Sequence, residues 1–362
     1  MEKTRAERLI ANAKEVDAVV ILNGGSPFLD STFWYLTELT GGSFEGSLAV
    51  VGKGGSLDII VSALEAETAM SGKGEVHVYH TREERDNYLK EALKGADKVG
   101  FNVHSASYSM VEYVKRTIKG IKVADASAAV SLTASVKDSR EIELMRKACG
   151  ISSQVAKEIP DMLSEGITEK EMAFRMDVRM RELGGTGNAF DTISAFGANS
   201  SKPHHAPTDY GLRIGDAALF DFGTKYDGYC SDMTRTVFLS KPPDILERAY
   251  GLVLEAQTAG IEKYMDGAPA KDADLAAREV IDGSEFKGKF IHSFGHGIGM
   301  DVHQDISVSP RSEHILKEGN VVSAEPGIYI PGLGGIRIED TCLITKNGCE
   351  RLTDFDRRIT FV

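Results

Sequence analysis

The chain has 362 residues, of which 42% are hydrophobic and 27% charged, and its formal net charge is −12. This length predicts about two domains, and the composition is that of an ordinary globular protein. Nucleic acids and anionic membranes are bound by clustered Lys and Arg, so the acidic balance argues against either as a partner.

The four cysteines are too few and too scattered for a disulfide framework. Cys149, Cys230, Cys342 and Cys349 form no Cys-x-x-Cys pair, which suits a reducing compartment. The first ten residues are charged and lack the apolar run of a signal peptide, and no apolar stretch reaches the ~18 residues that a spanning helix needs. We therefore expect a soluble cytoplasmic protein.

The first 125 residues alternate apolar runs with amphipathic segments. The pattern predicts strands at 18–22, 33–36, 47–52, 57–61 and 98–101, and helices near 4–15, 63–70, 83–93 and 107–119. Strands that alternate with helices predict a small α/β domain. Its glycine pairs lack the spacing of a phosphate-binding loop, and Gly54-Gly55 is predicted to be a hairpin turn.

A second domain is predicted to follow an Ala- and Ser-rich stretch. The predicted boundaries are 1–125 for the first domain, 126–138 for a linker and 139–362 for the second domain. Helices are predicted at 139–163, where Pro160 should kink or shorten the helix, at 169–183, at 244–265 and at 270–282. Glu165-Gly166-Ile167-Thr168 is similar to Asp266-Gly267-Ala268-Pro269, and each precedes the second helix of a pair. This repeat predicts a pseudo-symmetric α+β domain with its site between the halves.

Two acids in the stretch 219–236 are predicted to face each other. The stretch predicts two strands joined by a tight turn, and a turn centred between Tyr226 and Asp227 places Asp221 directly opposite Asp232. Like charges in such a pair are destabilising. Because the neighbouring residues are apolar, the two carboxylates must share a proton or hold a cation.

Three later segments carry further candidate ligands. His296 lies in a glycine-rich turn, and Glu325 ends an apolar strand before a Pro-Gly turn. Arg337 and Glu339 share one face of an alternating strand. Four carboxylates and one imidazole form an oxygen-rich ligand set that can hold two divalent ions about 3.5–4 Å apart.

These residues carry a resemblance to a known family. The sequence resembles the pita-bread metallopeptidases, which include methionine aminopeptidase, aminopeptidase P and prolidase, at Asp-Phe-Gly (221–223), Gly-Tyr-Cys-Ser-Asp-Met-Thr-Arg-Thr (228–236), Gly-His-Gly-Ile-Gly-Met-Asp-Val-His (295–303), Glu-Pro-Gly (325–327) and Gly-Ile-Arg-Ile-Glu-Asp (335–340). The resemblance implies a creatinase-like α/β domain followed by a pita-bread α+β catalytic domain over 139–362. One departure is His303-Gln304-Asp305-Ile306, where relatives usually have His-Glu-x-Pro. We interpret it as variation of a substrate loop.

The resemblance also implies a role for each site residue. It implies two divalent ions, Mn²⁺, Co²⁺ or Zn²⁺, bound by Asp221, Asp232, His296, Glu325 and Glu339. Glu325 would also move the proton of the attacking water, and the catalytic imidazoles would be His204, His292 and His303. Arg337 either holds Glu339 or Asp232 in place or forms an ordinary cross-strand ion pair. His205, which has no such match, is interpreted as a loop residue.

The function implied is hydrolysis of Xaa-Pro bonds in small peptides by a hydroxide that bridges the metals. The layout is most similar to an Xaa-Pro dipeptidase of the prolidase type, and a homodimer is implied. The alternatives are aminopeptidase P, which takes longer peptides, and a non-catalytic peptide-binding module on the same fold. Arg311 is a candidate for binding the free carboxylate of a dipeptide.

Overall fold

The structure is a computed structural model that describes residues 3–361. The chain divides after Ala134 into two compact units. Residues 127–135, within the predicted linker, form a helix, so the first unit extends beyond the predicted boundary at 125.

The first unit is a six-stranded mixed sheet with helices. Its strands are β1 (Ala18–Leu22), β2 (Leu48–Val51), β3 (Leu57–Ser62), β4 (Glu75–Tyr79), β5 (Lys98–Phe101) and β6 (Lys122–Asp125), in the order β4-β3-β2-β1-β5-β6. The helices are α1 (Arg5–Asn12), α2 (Ser31–Thr37), α3 (Ala66–Ala69), α4 (Arg82–Ala92), α5 (Tyr108–Thr117) and α6 (Ser127–Ser135). β2 pairs antiparallel with both β1 and β3, and the remaining pairs are parallel.

The predicted strand at 33–36 is wrong, because this segment lies in α2. The Asp30 side chain accepts a hydrogen bond from the Thr32 N–H and so caps the helix. Phe33 and Thr37, one helical turn apart, are both fully buried. The aromatic residues favour a strand when considered alone, but the cap and the packing of this face decide for a helix.

Within residues 135–361, the second unit contains four helices and thirteen short strands. The helices are α7 (Ser139–Met162), α8 (Glu169–Glu182), α9 (Asp244–Ile261) and α10 (Ala270–Asp282). The strands are β7 (Gly187–Asn188), β8 (Ile193–Phe196), β9 (Ala217–Phe222), β10 (Thr224–Tyr226), β11 (Tyr229–Cys230), β12 (Met233–Phe238), β13 (Gly295–Gly297), β14 (Gln304–Val308), β15 (Val321–Ala324), β16 (Gly327–Ile330), β17 (Gly334–Arg337), β18 (Asp340–Thr345) and β19 (Gly348–Arg351). Pro160 lies in the last turn of α7, and the helix continues through it to Met162.

The predicted repeat occupies equivalent positions in the two halves of this unit. Gly166 and Gly267 both have positive φ, 85° and 79°, and each lies before the second helix of its pair. The Gly166 N–H donates to the Leu212 carbonyl, and the Gly267 N–H donates to the Leu316 carbonyl. The same short motif therefore makes the same backbone contact in both halves, as expected for a pseudo-symmetric domain.

The predicted register of the acidic hairpin is wrong by two residues. Tyr226 pairs with Tyr229, so the turn is centred between Asp227 and Gly228, and Asp221 pairs with Thr234. Asp227 and Gly228 have φ of 46° and 87°, the left-handed conformation that both central residues of a type I′ turn need. An even shift keeps side chains on their original face, so Asp221 remains on the predicted face.

Candidate metal centre

The nine predicted site residues all line one cavity of 480 Å³ in the second unit: His204, Asp221, Asp232, His292, His296, His303, Glu325, Arg337 and Glu339. The acids lie near strand ends, Asp221 in β9, Glu325 directly after β15 and Glu339 directly before β18. His296 is the central residue of β13. Residues more than 100 positions apart in the chain thus converge because their strands end at the same place.

Four carboxylates surround one imidazole in this cavity. His296 Nε2 lies 3.5 Å from Asp232 Oδ2 and 3.3 Å from Glu325 Oε1. Ligand atoms of Asp232, His296 and Glu339 all lie within 4.8 Å of one another. Asp221 Oδ1 is buried and has no hydrogen-bond partner among residues 3–361. A carboxylate oxygen without a partner, next to three more acids, is what a site for divalent cations would provide. Such cations take oxygen ligands and would offset the repulsion among the four carboxylates.

The crowding of acids disfavours their charged forms. Burial raises the pKa of Asp232 well above its usual range, and the charges of Asp221 and Glu325 raise it further. Burial also raises the pKa of Glu339 well above normal, with Asp232 and Glu325 contributing. For Glu325, burial and the charge of Asp221 raise the pKa to about 7.

Arg337 neutralises part of this charge through direct contacts. Its Nη2 donates to Asp221 Oδ2 at 2.5 Å, and its Nε donates to Thr234 Oγ1 at 3.0 Å. Thr234 Oγ1 in turn donates to Glu339 Oε2 at 2.7 Å. Arg337 therefore holds Asp221 directly and Glu339 through Thr234. This differs from the predicted contact with Glu339 or Asp232, whereas the pair with Asp221 is an ion pair between residues of two strands, β17 and β9, as in the predicted alternative.

The imidazoles around the centre differ in their contacts. His292 Nδ1 donates to the Ser293 carbonyl at 2.9 Å, and its Nε2 accepts from the Tyr329 hydroxyl at 2.8 Å. Burial, aided by the charge of Arg337, lowers the pKa of His292 to about 3, so the ring is neutral. The His303 ring lies 4.2 Å from that of His296 and is exposed to the cavity, as is His204.

His205 is part of a structural contact outside the cavity. Its Nε2 lies 2.8 Å from Glu169 Oε2, and both residues are buried. Glu169 also accepts hydrogen bonds from the Phe196 N–H and the Thr208 N–H. His205 therefore anchors its loop to the start of α8, in agreement with its interpretation as a loop residue.

The sequence matches the model of metallopeptidase family M24 over residues 143–346 and that of the creatinase/prolidase N-terminal domain over residues 5–133. The chain belongs to metallopeptidase family M24. Relatives of this M24 peptidase include the Xaa-Pro dipeptidase of Pyrococcus furiosus, which is 35% identical over 361 residues, 99% of each chain. The family and the predicted fold class are thereby confirmed, and membership implies divalent metal ions.

The solved structures that are similar to this M24 peptidase include both dipeptidases and aminopeptidases. One is the Xaa-Pro dipeptidase from Bacillus anthracis, with 29% identity, a TM-score of 0.92 and 99% of both chains covered. Another is an X-Pro aminopeptidase from Thermotoga maritima, with 32% identity, a TM-score of 0.90 and coverage of 99% of this chain and 100% of that chain. Within residues 3–361, no helix combines the length and apolarity that crossing a membrane requires.

Three residues that contact the predicted site residues were not identified from the sequence. Thr234 links Arg337 to Glu339, and Tyr329 accepts from Arg337 Nη1 at 2.9 Å. Ser323 Oγ accepts from the His296 N–H and donates to Glu325 Oε1. Ser323 precedes Glu325 by two residues, so strand alternation was an available signal for it. No sequence signal indicates Tyr329, because its partners, Arg337 in β17 and His292 in the loop before β13, meet it only in the folded chain.

We expect the metal-free M24 peptidase to lose stability as the pH rises above 6.5, because below that value the lowered pKa of His292 acts in the opposite direction. In this window folded Glu325 keeps a proton that an unfolded Glu has lost, so a higher pH favours unfolding. Asp232 and Glu339 act in the same direction. The measurement is the unfolding midpoint in EDTA at pH 6.5, 7 and 8. Mn²⁺ should raise the midpoint most at the highest pH, because metal ligands must be deprotonated. A midpoint in EDTA that increases across this window would contradict the account.

Proposed function

We propose that this M24 peptidase is an Xaa-Pro dipeptidase that uses two divalent metal ions. The observation that carries the proposal is the similarity to the Pyrococcus furiosus Xaa-Pro dipeptidase over 99% of both chains. The five-ligand cavity supports the metal dependence. The ligands would be Asp221, Asp232, His296, Glu325 and Glu339, all of which line the cavity.

The proposed metals are Mn²⁺ or Co²⁺, with Zn²⁺ as the third candidate, because carboxylate-rich sites suit such ions. When bound, they lower the pKa of a coordinated water and polarise the scissile carbonyl. Glu325 then takes the proton of the attacking water and gives it to the leaving proline nitrogen.

His204 and His303 are proposed to donate hydrogen bonds to the oxygen on which negative charge develops. Both imidazoles face the cavity, and such donors act only where the charge forms. His292 is proposed to position other residues, because both of its ring nitrogens are engaged by Ser293 and Tyr329. Through Tyr329 it steadies Arg337, which holds Asp221.

Specificity for proline is supported by an apolar wall of the cavity. Phe190, Ile193 and Val302 line it. A proline after the scissile bond makes that bond a tertiary amide with no N–H. A site that binds such a peptide needs an apolar surface against the pyrrolidine ring. It should not place a hydrogen-bond acceptor at the proline nitrogen, which has no hydrogen to donate.

We expect the Mn²⁺-loaded protein to hydrolyse Ala-Pro and to hydrolyse Ala-Ala at least about tenfold more slowly, because the smaller side chain leaves the apolar wall unfilled. Amidation of the terminal carboxylate should weaken hydrolysis. The measurement is kcat/KM for Ala-Pro, Ala-Ala, Ala-Pro-amide and Ala-Pro-Ala. If the last two are hydrolysed as fast as Ala-Pro, the dipeptidase assignment is wrong.

The second candidate is an aminopeptidase that removes the residue before proline from longer peptides. Among the described lining residues, Arg337 is the one Arg or Lys side chain, and it is engaged by Asp221 and Tyr329. Arg311, the sequence-based candidate for the substrate carboxylate, is exposed and does not line the cavity. This shortage of a free cation is the observation that supports the second candidate, and the Thermotoga maritima X-Pro aminopeptidase is similar to this chain.

We also propose that the protein is a cytoplasmic homodimer. The compartment is supported by four cysteines that are all free thiols. The dimer rests on the family resemblance alone. Sedimentation equilibrium tests it, since the chain mass is 39.2 kDa.

A further inference from the structure

A histidine and two acids meet at the edge of the sheet in the first unit. Asp58 lies on β3, and Glu75 and His77 lie on the edge strand β4. Asp58 is the register partner of Glu75 in this parallel pair. Because alternate residues of a strand point to the same face, all three side chains share one face of the sheet.

The contacts within this cluster leave one carboxylate without a protein partner among residues 3–361. His77 Nε2 lies 2.8 Å from Asp58 Oδ1, and the His77 ring packs against Tyr88 of α4 at a centroid distance of 5.2 Å. Glu75 makes no hydrogen bond or ion pair within the described part of the chain, although its carboxylate lies beside that of Asp58. One ligand atom from each of the three residues lies within 4.8 Å of the other two.

We propose that Asp58, Glu75 and His77 bind a Zn²⁺ ion, separate from the catalytic centre. Adjacent like charges in a strand pair are destabilising, and a cation between them reverses that effect. One imidazole and two carboxylates are zinc ligands, and a tetrahedral ion with ligand bonds of about 2.0–2.2 Å needs ligand atoms about 3.3–3.5 Å apart. The distance of 2.8 Å between His77 Nε2 and Asp58 Oδ1 is shorter than this value, and all three ligand atoms lie within 4.8 Å of one another, so side-chain rotations can bring them to the required spacing.

The surroundings of His77 support binding over a simple ion pair. Its side chain is 22% exposed and that of Asp58 is 21% exposed, so both are partly shielded, while the exposed Glu75 leaves a path for an ion. Three protein ligands leave a fourth position for water. Bound Zn²⁺ would tie the edge strand β4 to β3, since two ligands come from β4 and one from β3.

The test counts Zn²⁺ in full-length protein carrying Asp232→Asn, which weakens the catalytic centre. Adding His77→Gln should remove about one equivalent of Zn²⁺ at micromolar concentrations. The glutamine amide keeps a hydrogen bond to Asp58, so the sheet edge should stay folded. His80→Gln is the matched control, because His80 is exposed and lies three residues further along. The His80→Gln protein should bind as much Zn²⁺ as the Asp232→Asn protein alone.

A second variant and a second readout separate this site from the peptidase site. Asp58→Asn in the same background should also lose about one equivalent of Zn²⁺. In otherwise wild-type protein, His77→Gln should leave Mn²⁺-dependent Ala-Pro hydrolysis unchanged. Equal Zn²⁺ counts in the His77→Gln and His80→Gln proteins, or binding at millimolar Zn²⁺ only, would overturn the proposal and leave His77 and Asp58 as an ordinary ion pair.

Discussion

Asp232→Asn is expected to abolish peptidase activity and to lower the bound metal below that of the wild type. Asp232 is 4% exposed and contributes a carboxylate oxygen beside His296 and Glu339. An amide has the same shape but no charge, so the ligand set loses one of its anions. Metal content by elemental analysis and kcat on Ala-Pro are the measurements.

The fold of this variant should survive the substitution. The raised pKa of Asp232 shows that its charged form is disfavoured in the folded chain, so metal-free Asp232→Asn should unfold no more readily than the metal-free wild type at pH 8. Asp305→Asn is the control, since Asp305 also lines the cavity but is exposed. It should keep its metal. Wild-type activity and metal content in Asp232→Asn would rule out Asp232 as a ligand.

Arg235→Met is expected to cost about 3–5 kcal/mol of unfolding free energy, the range for breaking one side of a buried ion pair. Arg235 is 1% exposed, and its Nη2 lies 2.7 Å from Asp340 Oδ1. The guanidinium also donates to the carbonyls of Thr234, Glu339 and Phe355. Methionine fills a similar volume but removes one of the two arginines that pair with Asp340, leaving Arg351 at 3.3 Å, and takes one donor from each of these carbonyls.

The control for this prediction is an arginine in an exposed ion pair. Arg248 lies 2.7 Å from Glu285, and both side chains are about half exposed, so Arg248→Met should cost less than about 1 kcal/mol. Urea unfolding should be followed by far-ultraviolet circular dichroism, because the one tryptophan, Trp34, lies in the first unit. Equal losses in the two variants would contradict the assigned role of Arg235.

Arg235 also links stability to the metal centre. It donates to the carbonyl of Glu339 and to the side chain of Asp340, and Glu339 is a proposed metal ligand. We infer that this ion pair fixes the backbone from which Glu339 enters the cavity. The sequence contains both residues within recognised motifs but does not indicate that they meet, because they are 105 positions apart.

The sequence by itself determined the chemistry of the centre and the faces of its strands. Strand alternation placed Asp221 on the face of β9 that lines the cavity, and this survived an error of two residues in the register. The cost of placing acids within apolar strands indicated a shared proton or a cation, and the set of four carboxylates with one imidazole predicted divalent ions. The repeat at Gly166 and Gly267 predicted the pseudo-symmetry, because positive-φ glycines mark equivalent turns.

Only the tertiary structure decided which groups support the ligands and which remain available to a substrate. Separate strands and loops supply the partners of Arg337 and of both ring nitrogens of His292. The packing of these segments also leaves Arg311 outside the cavity. Likewise α2 is a helix because its cap and its buried face outweigh the strand preference of its aromatic residues. Local patterns in the sequence give the periodicity of apolar residues and the helix or strand propensity of a segment. Contacts between distant segments exist only once the chain has packed.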